Sequence, residues 1–301
     1  MAFAARLWKP WFLYRPSQLL RRATGRDVPP GPDGRLSTAW GMSLHVDPTR
    51  DIGRSIVATG LFDLAVSEAL VRLVPPAGTL VDAGANIGYM TLLGAMAAGT
   101  GGTVHAFEPH PGLFGQLARN VRDAPGASRL ATVTLHNVAL GAETGDARLL
   151  LPAGFDDNDG IARIVVDPGA ADRTVVVPMR RLDDVVGDLM VDVLKMDVEG
   201  HEPHVLAGAA RLLRHQRIRH VVFEDHDVTH SPAVRVLREA GYALFALGWT
   251  VRRLRLEPLS SAGLARSYEA PNFVATLDER GLHEACAAKG WRTLRPWLGR
   301  R

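Results

Sequence analysis

Residues 79–89 read Thr79-Leu-Val-Asp82-Ala-Gly84-Ala-Asn86-Ile-Gly88-Tyr89, and twenty residues past Gly88 stands Glu108 in His105-Ala-Phe-Glu-Pro109. A short apolar strand leads into a glycine-bearing turn and then an apolar helix. A second strand closes on a single acidic residue. This unit places a nucleoside at the carboxyl edge of a parallel sheet, with the acid bonding ribose hydroxyls. Glycine lets the backbone approach a ligand with no Cβ in the way.

A dinucleotide needs Gly-x-Gly-x-x-Gly, because a pyrophosphate must lie on the turn and the helix N-terminus. Counting from Gly84, the second and third positions fall on Asn86 and Tyr89. The turn also brings a carboxylate, Asp82, which repels phosphate but suits a cationic amino-acid ligand. S-adenosylmethionine fits: it carries an ammonium and a sulfonium and no phosphate. The alternatives are an NAD-dependent oxidoreductase, opposed by the missing glycines, and a non-catalytic module that keeps the fold, opposed by the intact turn and acidic pair.

A third segment reads Asp192-Val-Leu-Lys195-Met-Asp197-Val-Glu199-Gly200-His201-Glu202-Pro-His204-Val-Leu-Ala-Gly208. It resembles the signature of the FkbM-type methyltransferases, a class I family that methylates hydroxyl oxygens, often on sugars or polyketide-derived metabolites. Asn137-Val-Ala139-Leu140, Val177-Pro-Met-Arg-Arg-Leu182-Asp183, Glu224 and Pro271-Asn272-Phe273 follow in the family's order, so the resemblance covers roughly 55–277. It implies an S-adenosylmethionine-dependent O-methyltransferase whose acceptor is a hydroxylated or glycosylated small molecule. It also implies that Asn137 and Ala139 meet the adenine edge.

The sheet is expected to be doubly wound, mostly parallel, Rossmann-like and seven-stranded, with helices on both faces. Strands at 79–82, 103–107, 132–138, 191–196, 219–223, 242–247 and 272–277 are near-continuous apolar runs, the mark of buried parallel strands. Helices are expected at 88–98, 111–122, 202–214, 232–240 and 278–290, alternating with the strands. One long helix is expected over 51–74, from the apolar spacing of Ile56, Leu61, Leu64, Leu70 and Leu73. Residues 145–178 interrupt the alternation and read as an inserted β-flap. An N-terminal helical arm and linker (1–50), a methyltransferase domain (51–290) and a tail (291–301) complete the division.

Net charge is only +3 across 301 residues, which is no nucleic-acid footprint. With one cysteine, Cys286, no internal disulfide forms, and a cytoplasmic location is expected. The aromatics and cations of the arm, Trp8 to Arg22, read as packing on the domain or as weak contact with a membrane surface. Oligomeric state is left open.

The cofactor set is Asp82, Gly84, Asn86, Gly88, Glu108, Asn137, Ala139 and Asp197, with Asp82 facing the methionine end and Glu108 the ribose diol. The catalytic set is Asp197, Glu199, His201 and His226. Its carboxylates would position the acceptor, and His201 or His226 would take the hydroxyl proton. Lys195 reads as the partner of an acid. The tryptophans Trp40, Trp249 and Trp291 read as packing residues rather than sugar platforms, with Trp249, in a loop after a strand, the one to test for stacking on an acceptor. His226 and His230 flank Asp227, and Asp197, Glu199, Glu224 and Asp225 could supply oxygens to a divalent metal, but no metal site is expected. Likewise 156–160 lacks the glutamate of a calcium loop and reads as a polar turn.

Overall fold

The computed structural model describes residues 34–166, 169, 172–228, 230–259 and 272–296, together with Pro10. Most of the arm and linker, Pro271 and the end of the tail lie outside the described residues. A hairpin of β1 (Arg35–Ser37) and β2 (Ser43–His45) opens the fold, followed by α1 (Asp51–Thr59) and α2 (Leu64–Leu73). Next come β3 (Thr79–Ala83), α3 (Tyr89–Ala98), β4 (Thr103–Phe107), α4 (Pro111–Arg122) and β5 (Thr132–His136). The flap follows: β6 (Ala139–Leu140), β7 (Gly145–Leu150), β8 (Arg163–Val165) and β9 (Thr174–Arg180) form a four-stranded sheet in the order β6-β9-β7-β8. The chain then resumes α5 (Leu182–Val186), β10 (Val191–Met196), α6 (Glu202–Gly208), α7 (Ala210–Arg214), β11 (Ile218–Glu224) and α8 (Pro232–Glu239). It closes with β12 (Ala243–Trp249), β13 (Leu254–Pro258), β14 (Asn272–Thr276) and α9 (Glu279–Ala287).

Among the described residues the main sheet has eight strands, not seven, in the order β13-β12-β14-β11-β10-β3-β4-β5. The additional strand is β13, an antiparallel edge paired to β12 in a stretch where the residue pattern signals nothing. From β11 to β5 the pairing is parallel, and from β11 outward through β14, β12 and β13 it is antiparallel. Side chains alternate between two cores. Leu80, Val104, Val193, Val222 and Val274 join α2 and α3 in one. Val81, Leu194, Met196, Val221 and Phe223 join α6 to α8 in the other. Burial on both faces explains the unbroken apolar runs.

The expected helix over 51–74 is two helices. Gly60 adopts φ 80° and ends α1, and the Asp63 carboxylate caps α2 by accepting the Val66 amide at 3.0 Å. Both segments bury apolar faces in the same core, so the apolar spacing runs on across a break it does not mark. The expected 202–214 helix is also divided, at Ala209. A Cβ on Gly208 would lie 2.0 Å from the Gly141 carbonyl oxygen, so the end of α6 sits against backbone.

Residues of the β1–β2 hairpin, grouped above with the arm, belong to the main core. Trp40 is fully buried and donates its indole N–H to the Tyr89 hydroxyl at 2.9 Å.

Candidate functional site

After β3 the chain winds outward through β4 and β5. It then returns to β10 on the other side of β3. A crevice opens at such a switch point, beyond the strand ends. Here the ends are Ala83-Gly84 and Met196-Asp197, and they touch. Gly84 has φ +75°, and a Cβ there would lie 1.9 Å from the Asp197 carbonyl oxygen. No other residue type fits this turn without displacing it.

Beneath the turn, Lys195 stands opposite Asp82 in the parallel register. Its Nζ donates to the Gly84 carbonyl at 2.8 Å and lies 3.2 Å from Asp82 Oδ1 and 3.8 Å from Asp197 Oδ2. Burial works against the ammonium, but the charges of Asp82 and Asp197 outweigh it and hold its pKa above the ordinary lysine value. The expectation for Asp82 is corrected. Its carboxylate is fully buried, accepts the Thr91 hydroxyl at 2.6 Å, and lines no cavity facing the methionine end. It is the counter-ion of Lys195.

Glu108 closes β4. One carboxylate oxygen accepts the Asn86 amide and the other the His110 amide, each at 2.8 Å. Burial pushes its pKa up to about 7, against the pull of those amides and of Lys195. Around it the first cavity is lined by Gly84, Asn86, Phe107, Ala139, Leu140 and Ile164 among others. The lining combines the carboxylates of Glu108, Asp197 and Glu199 with apolar residues of the sheet and the flap. Two further expectations change. Asn137 does not line the cavity: its amide donates to the carbonyls of Glu108 and Pro109 at 2.8 and 3.1 Å and braces that turn. Gly88 does not line it either: at φ +90° it caps α3, and a Cβ there would meet Leu117 at 2.6 Å.

A second cavity of about 660 Å³ adjoins the first, with Lys195, Asp197 and Glu199 lining both. Trp249, Asp63, Glu224 and Asn272 complete its far wall. Glu199 holds φ +54°, an uncommon backbone for a residue with a side chain. Burial, then the charges of Asp197 and Glu202, raise its pKa to about 7. For Glu224, burial and the charges of Asp197, Glu199 and Asp63 raise it to about 8. Asp63 is raised in the same direction, by burial first. Its carboxylate accepts the Asn272 amide at 2.8 Å.

The histidines do not act as a pair at the site. His201 lines the first cavity, stacked on His204 at 4.4 Å between ring centroids. Its Nε2 is buried without a hydrogen-bond partner, and burial with the nearby His204 lowers its pKa to about 4. His226 is exposed, lies 3.0 Å from Glu224, and lines only an outer cavity. Among the described residues no three His, Cys, Asp or Glu side chains converge to hold a metal ion. Sequence reasoning missed Asp63, which looked like part of a continuous helix. It also gave Asn272 and Asn158 no role, though both line the second cavity.

A doubly wound sheet with a buried acid beside a glycine turn at its switch point, and no triplet of phosphate-binding glycines, has the architecture of a protein that binds a nucleoside without a pyrophosphate. The family model of the methyltransferase FkbM domain matches residues 82–244, and the chain belongs to that S-adenosylmethionine-dependent family. It is 35% identical over 199 residues to the 31-O-demethyl-FK506 methyltransferase FkbM of Streptomyces tacrolimicus, covering 57% of this chain and 75% of that protein. It is 31% identical over 170 residues to the hexuronic acid methyltransferase AglP of Haloferax volcanii, covering 54% of this chain and 62% of that protein. Among solved structures it resembles a methyltransferase FkbM from Methylobacillus flagellatus, at 17% identity and TM-score 0.40, over 75% of this chain and 56% of that one. The chain thus spans under two thirds of the length of both AglP and that solved structure.

Proposed function

We propose that this protein transfers a methyl group from S-adenosylmethionine to a hydroxyl oxygen of a sugar or other small metabolite. One observation carries the reading: a cradle lined by Glu108 and by apolar residues of the sheet and flap opens, past Lys195, Asp197 and Glu199, into a larger polar cavity. The residues present suit the cofactor. Glu108 has lone pairs left for a ribose diol after taking two amides. Ala139, Leu140 and Ile164 offer an apolar slot for adenine, and Asp197 a carboxylate for the methionine ammonium. Asn86 and Gly84 shape the turn, while Asp82, Gly88 and Asn137 support it from behind.

When bound, S-adenosylmethionine would supply an electrophilic methyl carbon whose bond to sulfur would break toward sulfur as the acceptor oxygen bonds to it. The protein must hold the acceptor oxygen at about 3 Å and take its proton. We assign the proton to Glu199. It faces both cavities, and its pKa of about 7 matches a base working near neutrality. His201, at about 4, binds a proton too weakly for this step. His226 stands outside the first two cavities.

On this reading the acceptor is a small molecule rather than a nucleic acid and the setting is cytoplasmic, with which a single cysteine is compatible. Incubation with labelled S-adenosylmethionine and a panel of glycosylated and hydroxylated metabolites tests the reading. A gain of one methyl on an oxygen, seen by mass spectrometry, is the expected result. Methylation only at nitrogen or carbon, or no binding of S-adenosylhomocysteine, ends it.

A further inference from the structure

Lys195 links the turn after β3 to both cavities of the site. It belongs to β10, yet its ammonium donates to the carbonyl of Gly84 on the turn after β3. It faces Asp82 across the strand register and Asp197 at the end of its own strand, and it lines both the cradle and the second cavity. A lysine needed only to neutralise Asp82 has no reason to reach the turn carbonyl or to form cavity wall.

We propose that Lys195 is the positioning residue that locks the cofactor turn to the acceptor side of the site through one buried ammonium. The proposal rests on the reading of the cradle as an S-adenosylmethionine site. Holding the Gly84 carbonyl fixes the turn on which Asn86 presents its amide to Glu108. A charged lysine here also favours the ionised forms of the carboxylates that surround it. These are Asp82 from β3, Glu108 after β4, and Asp197 and Glu199 after β10; Asp63 before α2 and Glu224 of β11 line the same second cavity. Ionised Glu108 is the form that accepts two ribose hydroxyls. Lys195 therefore sets both the shape of the cradle and the pH range over which it binds.

The test is calorimetric titration of the full chain with S-adenosylhomocysteine between pH 6 and 9. For the unaltered protein, affinity should rise with pH through about 7, where Glu108 ionises. Lys195→Met should weaken binding about tenfold or more and move that midpoint upward by roughly one pH unit. Lys195→Arg, which keeps the charge but not the shape of the ammonium, should retain the midpoint while recovering only part of the affinity. Since Lys195→Met strands the buried Asp82 charge, the Asp82→Asn/Lys195→Met double variant serves if the single variant does not fold. It removes both charges and still lacks the bond to Gly84. Unaltered affinity and midpoint in a folded variant would show Lys195 to be a counter-ion for Asp82 and overturn the proposal. An unaltered protein that does not bind S-adenosylhomocysteine at any pH would overturn the cofactor reading, and this proposal with it.

Discussion

The carboxylate of Glu108 accepts the backbone amide of Asn86 at 2.8 Å, so the end of β4 and the glycine turn after β3 form one unit. A second amide, from His110, holds the other oxygen. Glu108→Ala should therefore cost more than a ligand contact, because two inward-facing amides lose their acceptor. A fall of about 100-fold in S-adenosylhomocysteine affinity is expected, roughly 2–3 kcal/mol. Calorimetry that finds the affinity unchanged would remove Glu108 from the ribose site.

Gly84 and Gly200 both hold positive φ, at +75° and +92°, but in different surroundings. A Cβ on Gly84 would lie 1.9 Å from the Asp197 carbonyl, whereas one on Gly200 meets nothing within 4 Å. Gly200→Ala should cost only backbone strain, about 1–2 kcal/mol. Gly84→Ala should cost roughly 3 kcal/mol or more and also abolish cofactor binding. Denaturant unfolding of the two variants separates strain from contact; equal losses would contradict the close approach of the two turns.

Stability should depend on pH above neutrality. Glu108 and Glu199 titrate near 7 and Glu224 near 8, all raised chiefly by burial above the ordinary 4.5. The folded state thus binds more protons than the unfolded chain, and each group's contribution is lost as pH rises through its folded pKa. His201 and His220, lowered to about 4 by burial, act in the opposite sense but only between about 4 and 6.5. Between pH 6.5 and 9 the unfolding free energy should therefore fall, and Glu224→Gln should recover about 1–2 kcal/mol of it at pH 9. Urea titrations at the two pH values, with no difference between Glu224→Gln and the parent, would refute the assignment.

Glu199, the proposed proton acceptor, and His226, one of the two histidines expected from the sequence, separate in a rate measurement. Glu199→Gln should lower kcat by about 100-fold or more and remove the acid limb of the pH–rate profile near 7. His226→Asn, altering an exposed ring outside the first two cavities, should change kcat by less than about threefold. The reverse order would return the base to the histidine.

Much of the fold follows from short-range pattern. Apolar runs such as Leu80-Val81 and Val193-Leu194 point to strands buried on both faces, and the structure divides each pair between the two cores. The flap was visible as the interruption of the alternation over 145–178, and β7, β8 and β9 lie in that stretch, β9 running on to Arg180. Breaks inside helices were not visible. Gly60 and Ala209 interrupt spacing that remains continuous, because consecutive short helices against one core keep the same apolar rhythm. Edge strand β13 was hidden for a related reason: at the rim of the sheet its polar and apolar residues are not forced into a buried run.

The nucleoside cradle was local information. Gly84, Asn86 and Glu108 sit in one strand–turn–helix–strand unit, whose short connections leave few alternatives for where they meet. The division of labour among the other charged residues was not local. Lys195 and Asp82 are 113 positions apart, and Asp63 and Asn272 are 209, so only strand order and helix packing bring each pair together. Sequence alone established the residue types and the cofactor chemistry they permit. The tertiary structure decided which carboxylates face the cavities, which one neutralises a buried lysine, and which keep a proton near neutral pH. Those properties depend on burial and on distances between chain segments, and a linear pattern carries neither.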